Sequence, residues 1–274
     1  MKNFARRSLK SFLKRLMRHR PCERLFRLLT EARRSYYHQQ VVPRLQKEVF
    51  RERVVLNGPF KGMAMPYFAA WPKLVGSYED ELHGVINEIL ATAYHAVVNI
   101  GCAEGYYAVG VAMKLKAAAI YCFEANPEML ERCRQNARVN QVEARMRFAG
   151  RGGAADLARL DLSKQSLIIC DVDGYEAELL QPSRIPGLRN CDLLIEVHDC
   201  LAPGTTAALT QRFRDTHDIR RFREQWKDAA RYPQLKDLSV FEQHVALSED
   251  RWSEDQPIDQ EWLFLKVKRI QGAG

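Results

Sequence analysis

No apolar run in the 274-residue sequence approaches the ~20 residues needed to cross a bilayer, and the N-terminus lacks the uninterrupted apolar core of a secretory signal. These absences lead us to expect a cytoplasmic protein, soluble or at most peripheral to a membrane. Cysteines are few and scattered, at 22, 102, 122, 133, 170, 191 and 200, with no CxxC pair and no Cys/His spacing of a zinc site. A disulfide framework and a finger-type metal fold are therefore set aside, and the thiols read as reduced and partly buried. Internal repeats and low-complexity tracts are missing as well. No Gly-Lys followed by Ser or Thr occurs, which excludes the phosphate loop of nucleotide hydrolases. What remains is the composition of a globular protein long enough to bury a full core.

Acidic residues are scarce in one region only. Residues 1–53 hold sixteen Lys and Arg against four Glu, a net of +12; the whole chain carries +8, so residues 54–274 carry −4. Within that arm Ala5, Leu9, Phe12, Leu13, Leu16 and Met17 share one helical stripe, with Arg6, Arg7, Lys10, Lys14, Arg15 and Arg18 opposite. A second stripe, Leu25, Phe26, Leu29, Ala32 and Tyr36, runs to the VVP at 41–43. A basic amphipathic helix suits docking on an anionic membrane; it also suits packing with a solvated outer face, and an Arg-rich N-terminus is similar to a mitochondrial presequence. Nucleic acid is the weaker partner, because base-stacking aromatics are limited to Tyr36 and Tyr37.

After the arm, RVVLNGPFKGMAM (53–65) predicts a hairpin about Asn57-Gly58, and Ser77 predicts the N-cap of a helix through YEDELHGVINEILATA. From there apolar strands alternate with helices. Strands are expected at 96–100, 118–124, 144–150, 165–174, 191–199 and 261–268, with helices after the first two, at GTTAALTQRFRDTH, and after Ser77. This alternation predicts an α/β fold, a doubly wound and mostly parallel sheet with an N-terminal helical extension. The expected division is an arm over 1–53 and a domain over 54–274. Within the domain we expect an opening segment at 54–76, a cofactor-binding core at 77–199 and a substrate-side part at 200–274. Residues 226–258 lack a clean period and read as a substrate cover.

In such sheets ligands sit beyond the carboxyl ends of the strands, which singles out Asn99–Gly105, Glu124, Asp171–Gly174 and Glu196–Asp199. A dinucleotide turn needs glycines at its first, third and sixth positions. Counting from Gly101, the third is Ala103 and the sixth is Tyr106, whose phenol obstructs a pyrophosphate. The turn has room for a more compact ligand.

On these residues the sequence resembles the class I S-adenosylmethionine-dependent methyltransferases, with a Rossmann-like fold. Asn99, Gly101, Ala103 and Gly105 match the first motif, an acid followed by alternating glycines, which holds the methionine part of the cofactor. Glu124, twenty-three positions past Gly101, matches the acid that binds the ribose hydroxyls. DVDGYE (171–176) and IEVHD (195–199) resemble the strand ends of the FkbM-like branch, and the resemblance spans about residues 75–270. Two positions depart from the pattern: Asn99 replaces the usual acid and Ala103 a glycine.

The resemblance implies S-adenosylmethionine as cofactor, contacted by Asn99, Gly101, Ala103, Gly105, Tyr106, Glu124 and Asp171. A sulfonium cation also suits aromatic faces and acids, and Tyr78, Glu104, Tyr106 and Tyr107 lie near the expected site. For chemistry, His198 is the candidate base, oriented by Asp199 or Glu196, with Asp171 near the methyl group. Asp171, Asp173, Glu196 and Asp199 could alternatively gather a Mg²⁺. An NPPY-type segment is absent, so the first expectation is O-methylation of a sugar, glycolipid or other hydroxylated small molecule. An RNA methyltransferase anchored by the arm is the second, and a non-catalytic adapter with this fold the third.

Overall fold

The computed structural model describes residue 28 and residues 35–67, 70–225, 227–248, 252–253, 256–257 and 261–268. The chain divides into two units, Met1–Arg51 and Glu52–Gly274. In the first unit the amphipathic stripe of residues 5–17, and most of the second stripe, lie outside the described residues. The expectation that the second helix stops at the VVP is corrected: the backbone stays helical through Pro43, with π-helical stretches Tyr37–Val41 and Leu45–Val49 on either side of Val42–Arg44. Proline has no N–H to donate, and the wider π turns accommodate that missing bond. No helix among the described residues is long and apolar enough to cross a membrane.

In the second unit each expected strand forms, although the one expected over 165–174 ends at Cys170, because the chain turns at Asp173 and Gly174. The strands are β1 (Ala96–Ile100), β2 (Ala119–Phe123), β3 (Met146–Ala149), β4 (Ser166–Cys170) and β5 (Cys191–Val197), to which β6 (His217–Arg223) is added. Two short strands, β7 (Trp252–Ser253) and β8 (Gln256–Pro257), pair with each other, and β9 (Glu261–Val267) closes the main sheet. The seven strands run in the order β3-β2-β1-β4-β5-β9-β6, with β9 antiparallel to both neighbours and the pairs among β1 to β5 parallel. β1, β4 and β5 are buried at every position, as strands covered on both faces must be.

β6 escapes the sequence pattern because HDIRRFR is mostly charged; it is an edge strand, where Arg and Lys discourage pairing with other chains. Its Arg220 guanidinium stacks 4.9 Å from the Phe264 ring and meets Glu88 at 2.5 Å.

Two local expectations are corrected. The hairpin at 53–65 is held by bonds from Val55 N to Met63 O, Gly62 N to Val55 O and Met65 N to Arg53 O, but only Val54 and Ala64 form a regular bridge. Pro59 cannot donate, and the Asn57 amide is drawn away to Val75 O at 2.7 Å. The helix expected from Ser77 begins instead with a 3₁₀ turn at Asp80–Leu82 and becomes α-helical over His83–Leu90. Glu79, at φ +50°, breaks any earlier start, and Ser77 lies just past a separate helix, Trp71–Val75, which ends at left-handed Gly76.

In-register pairing gives the sheet two distinct faces. Val98, Ile100, Ile168, Cys170, Leu193, Ile195, Leu263 and Leu265 belong to one apolar core with Leu209 and Phe213. The other face carries Asn99 and Glu196 toward its carboxyl end, with Trp262 beside Glu196.

Candidate functional site

The strand order reverses between β1 and β4: the chain moves from β1 to β2 and β3 on one side, then returns to place β4 on the other. A crevice beyond the carboxyl ends at such a switch point is where doubly wound sheets bind ligands. The loops leaving the two strands touch there. Asp171 N donates to Ile100 O at 3.0 Å, and a Cβ placed on Gly101 would lie 1.6 Å from the Asp171 carbonyl oxygen, so only glycine fits.

The loop after β1 turns left-handed at every second residue, with φ of +74° at Gly101, +44° at Ala103 and +93° at Gly105. Ala103 is thus strained where the family pattern has a glycine. Its amide nonetheless does useful work, donating to Glu124 Oε2 at 2.8 Å, while Asn126 N donates to Glu124 Oε1 at 2.8 Å. Two backbone amides fix the carboxylate, and each oxygen keeps a further lone pair for a hydroxyl.

Asn99 is buried on β1, its amide reaching Ile169 O at 3.5 Å, while its Oδ1 has no protein partner. The Trp262 indole N–H, on the same face, is buried without a partner too. Buried polar atoms normally find partners, so this pair marks room for a polar ligand or ordered water.

Tyr106 belongs to a packed cluster: its ring stands edge-on to Phe60 and Tyr78 at 5.3 Å each and to Tyr107 at 5.4 Å, and burial raises the pKa of its hydroxyl. The cluster is joined to Glu104, nearly fully buried, whose carboxylate meets Lys73 Nζ at 2.5 Å; that ammonium lies 4.6 Å from the Tyr78 ring centre. The Tyr107 hydroxyl bonds to Glu79. Part of the expected substrate cover is anchored to the same layer, through Arg231 and Tyr232, which donate to Asp80 Oδ2 at 2.8 and 2.9 Å.

The chemical groups gather on the β4 and β5 side. His198 is buried, and its Nδ1 donates to Glu176 Oε1 at 2.8 Å; Glu176 in turn accepts from Gly174 N at 2.9 Å. Glu176 therefore orients the imidazole, a role the sequence reading gave to Asp199 or Glu196. Twenty-two positions separate the two residues, and only the turn at Asp173 and Gly174, with φ of +50° and +97°, brings them together. The signal was present in the final Glu of DVDGYE.

The other imidazole nitrogen, Nε2, faces Asp171 Oδ1 and Asp173 Oδ1, each at 3.8 Å. That is too long for a hydrogen bond and leaves space between them for a bridging oxygen. Burial opposes charging His198, but the bond to Glu176 and the charges of Asp171, Glu176 and Asp173 outweigh it and raise its pKa. The Asp171 carboxyl is pushed up to about 6, first by burial and then by the charges of Glu79 and Asp173, against the pull of His198.

Ligand atoms of Asp171, Glu196 and His198 lie within 4.8 Å of one another. One nitrogen among two oxygens suits a borderline cation better than Mg²⁺. Asp199, expected in the oxygen set, does not join it. The chain turns away after β5, and the Asp199 carboxylate caps helix Thr205–Phe213, accepting from Gly204 N at 2.9 Å, Thr206 N at 3.1 Å and the Thr206 hydroxyl. Asp173 stays 90% exposed at the rim. A surface hollow of about 390 Å³ lined by Leu157, Asp161, Ser163, Pro186 and Asn190 lies before β4 and β5, at their amino ends, and holds none of these groups.

No protein-family model and no curated protein matches the sequence. Solved structures do resemble the fold. They include the O-methyltransferase TomG from Streptomyces achromogenes in complex with SAM, at 10% identity and TM-score 0.43, covering 70% of this chain and 81% of that one. The precorrin-6y C5,15-methyltransferase from Geobacter metallireducens aligns at 11% identity and TM-score 0.44, covering 68% and 88%. The precorrin 8w decarboxylase of Methanobacterium thermoautotrophicum aligns at 14% identity and TM-score 0.43, covering 67% and 89%. Likenesses this distant decide nothing about the site, whose reading rests on its own geometry.

Proposed function

We propose that the protein is an S-adenosylmethionine-dependent methyltransferase that acts on a hydroxyl group of a small acceptor, a sugar, glycolipid or similar molecule. The observation that carries the reading is the Glu176–His198 pair, which presents Nε2 beside Asp171 where that loop packs against the Gly101 turn. The residues fit the cofactor. Gly101 lets the turn pack directly on the Asp171 loop, the orphaned Asn99 Oδ1 suits an ammonium donor, and the anchored Glu124 carboxylate suits a pair of ribose hydroxyls. When bound, S-adenosylmethionine supplies an electrophilic methyl group.

The chain's own residues do the rest. Glu176 holds Nδ1 protonated, which leaves Nε2 as the basic nitrogen of the neutral imidazole. That nitrogen takes the acceptor's hydroxyl proton, a contribution of about 10²- to 10⁴-fold. Holding the acceptor in line lowers the barrier further, by as much as about 7–11 kcal/mol in favourable cases. The basic arm would bring the enzyme to anionic lipid, a role tested by salt-sensitive co-sedimentation with phosphatidylserine vesicles.

Calorimetry of the full chain with S-adenosylhomocysteine tests the cofactor. Heat of binding that Glu124→Ala removes, with the fold intact, is the expected result; no heat from the natural chain leaves the adapter reading instead. Glu176→Gln tests the base. Because Glu176 raises the His198 pKa, turnover should rise with pH along a limb displaced above the ordinary histidine range; the variant shifts that limb to lower pH and lowers its plateau about 10²-fold. An unmoved limb would remove His198 from the chemistry.

A further inference from the structure

Three cysteines that the sequence scatters converge below the glycine turn. Cys102 lies within the turn, Cys122 on β2 and Cys133 midway along helix Pro127–Val139, and all three are buried, at 4%, 0% and 0% exposure. Their sulfur atoms lie within 4.8 Å of one another. Three sulfurs bound to one cation at about 2.3 Å stand about 4 Å apart, so the triangle needs to contract by less than an ångström.

Hydrogen bonds from the Cys102 and Cys122 thiols pull the Cys133 thiol down to about 5, while burial, Glu104 and Glu124 act against its charge. The Cys102 thiol is pushed up by Cys122, by Cys133 and by burial, and Cys133 and burial push the Cys122 thiol up against the pull of Cys102. The turn is fitted closely over the Cys133 sulfur: a Cβ on Gly105 would lie 2.7 Å from it.

We propose that Cys102, Cys122 and Cys133 form a binding site for a single thiophilic d¹⁰ cation, and that loading it pins the Gly101–Gly105 turn to β2 and to helix Pro127–Val139. Sulfur ligands without a histidine or an oxygen select soft ions of the Cu(I) and Zn²⁺ class. The balance is simple: the three sulfurs bind one cation as thiolates and release to solvent whatever protons they carried, with no change of oxidation state. The site stands apart from His198; it shares the Gly101–Gly105 turn with the proposed cofactor site, but metal binding itself does not depend on that reading.

Cd²⁺ added to the reduced, chelator-treated full chain is the probe. One equivalent should produce the sulfur-to-cadmium charge-transfer absorption. That absorption should survive Cys22→Ser and Cys200→Ser, the latter removing the thiol exposed among the described residues, and disappear in Cys122→Ser and in Cys133→Ser, with circular dichroism confirming the fold of each. Loading should also slow amide hydrogen exchange at residues 101–105 of the natural chain, a readout that requires no variant to fold. No stoichiometric absorption in the natural chain, absorption lost in Cys22→Ser or Cys200→Ser, or unchanged exchange in the turn would overturn the proposal.

Discussion

A Cβ at Gly101 and a charge at Asp171 bear on the same contact from opposite sides. Gly101→Ala drives a methyl into the Asp171 carbonyl at 1.6 Å and forces alanine to φ +74°. The left-handed backbone alone costs about 1–2 kcal/mol. We expect at least that loss in urea unfolding, together with loss of S-adenosylhomocysteine binding. Asp171→Asn should act the other way on stability. The folded carboxyl is raised to about 6, so its ionised form weakens the fold at neutral pH, and the variant should melt at a higher temperature there. As the pH falls through the folded pKa the natural residue takes up its proton and the difference should close, while turnover stays low throughout. The glycines and Glu124 were legible in the sequence because spacing and strand ends mark them. The partnership of Glu176 with His198 and the meeting of the three thiols were not, because turns and neighbouring elements create them, and ligand-spacing rules see only local pairs.

At the scale of elements, β1, β4 and β5 announced themselves as apolar runs because strands buried on both faces must be apolar throughout, while β2, β3 and β9 were read from their place in the alternation of strands and helices. β6 was hidden, since an edge strand needs apolar residues on one face at most and this one shows arginine outward. The 3₁₀ start at Asp80–Leu82 was hidden for another reason: a left-handed Glu79 follows from packing, with no local preference to signal it. Helix Thr205–Phe213 depends on a side chain that the sequence reading gave to metal. Asp199→Ala should cost about 1–2 kcal/mol through loss of that cap, measured by urea unfolding, with turnover per folded molecule nearly unchanged. A collapse of turnover at full stability would return Asp199 to the reacting groups.

For the molecule as a whole, the partition of charge between residues 1–53 and the rest was plain in the sequence, and the division into units falls close to it, after Arg51. Strand order was not legible, because composition does not say where a late strand inserts. β9 pairs with β5 on one side and β6 on the other, and Val267 N donates to Asp192 Oδ1 at 2.9 Å, an aspartate that also accepts from the Tyr94 hydroxyl at 2.6 Å. A chain ended before Glu261 should therefore be recovered in inclusion bodies, with no soluble cooperative unfolding transition. During synthesis the same order means that β6 leaves the ribosome before its partner strand β9 exists. Residues 261–267 must then enter between β5 and β6, so the translation rate over that segment, and any chaperone that guards the flank of β5, would govern the yield of folded protein.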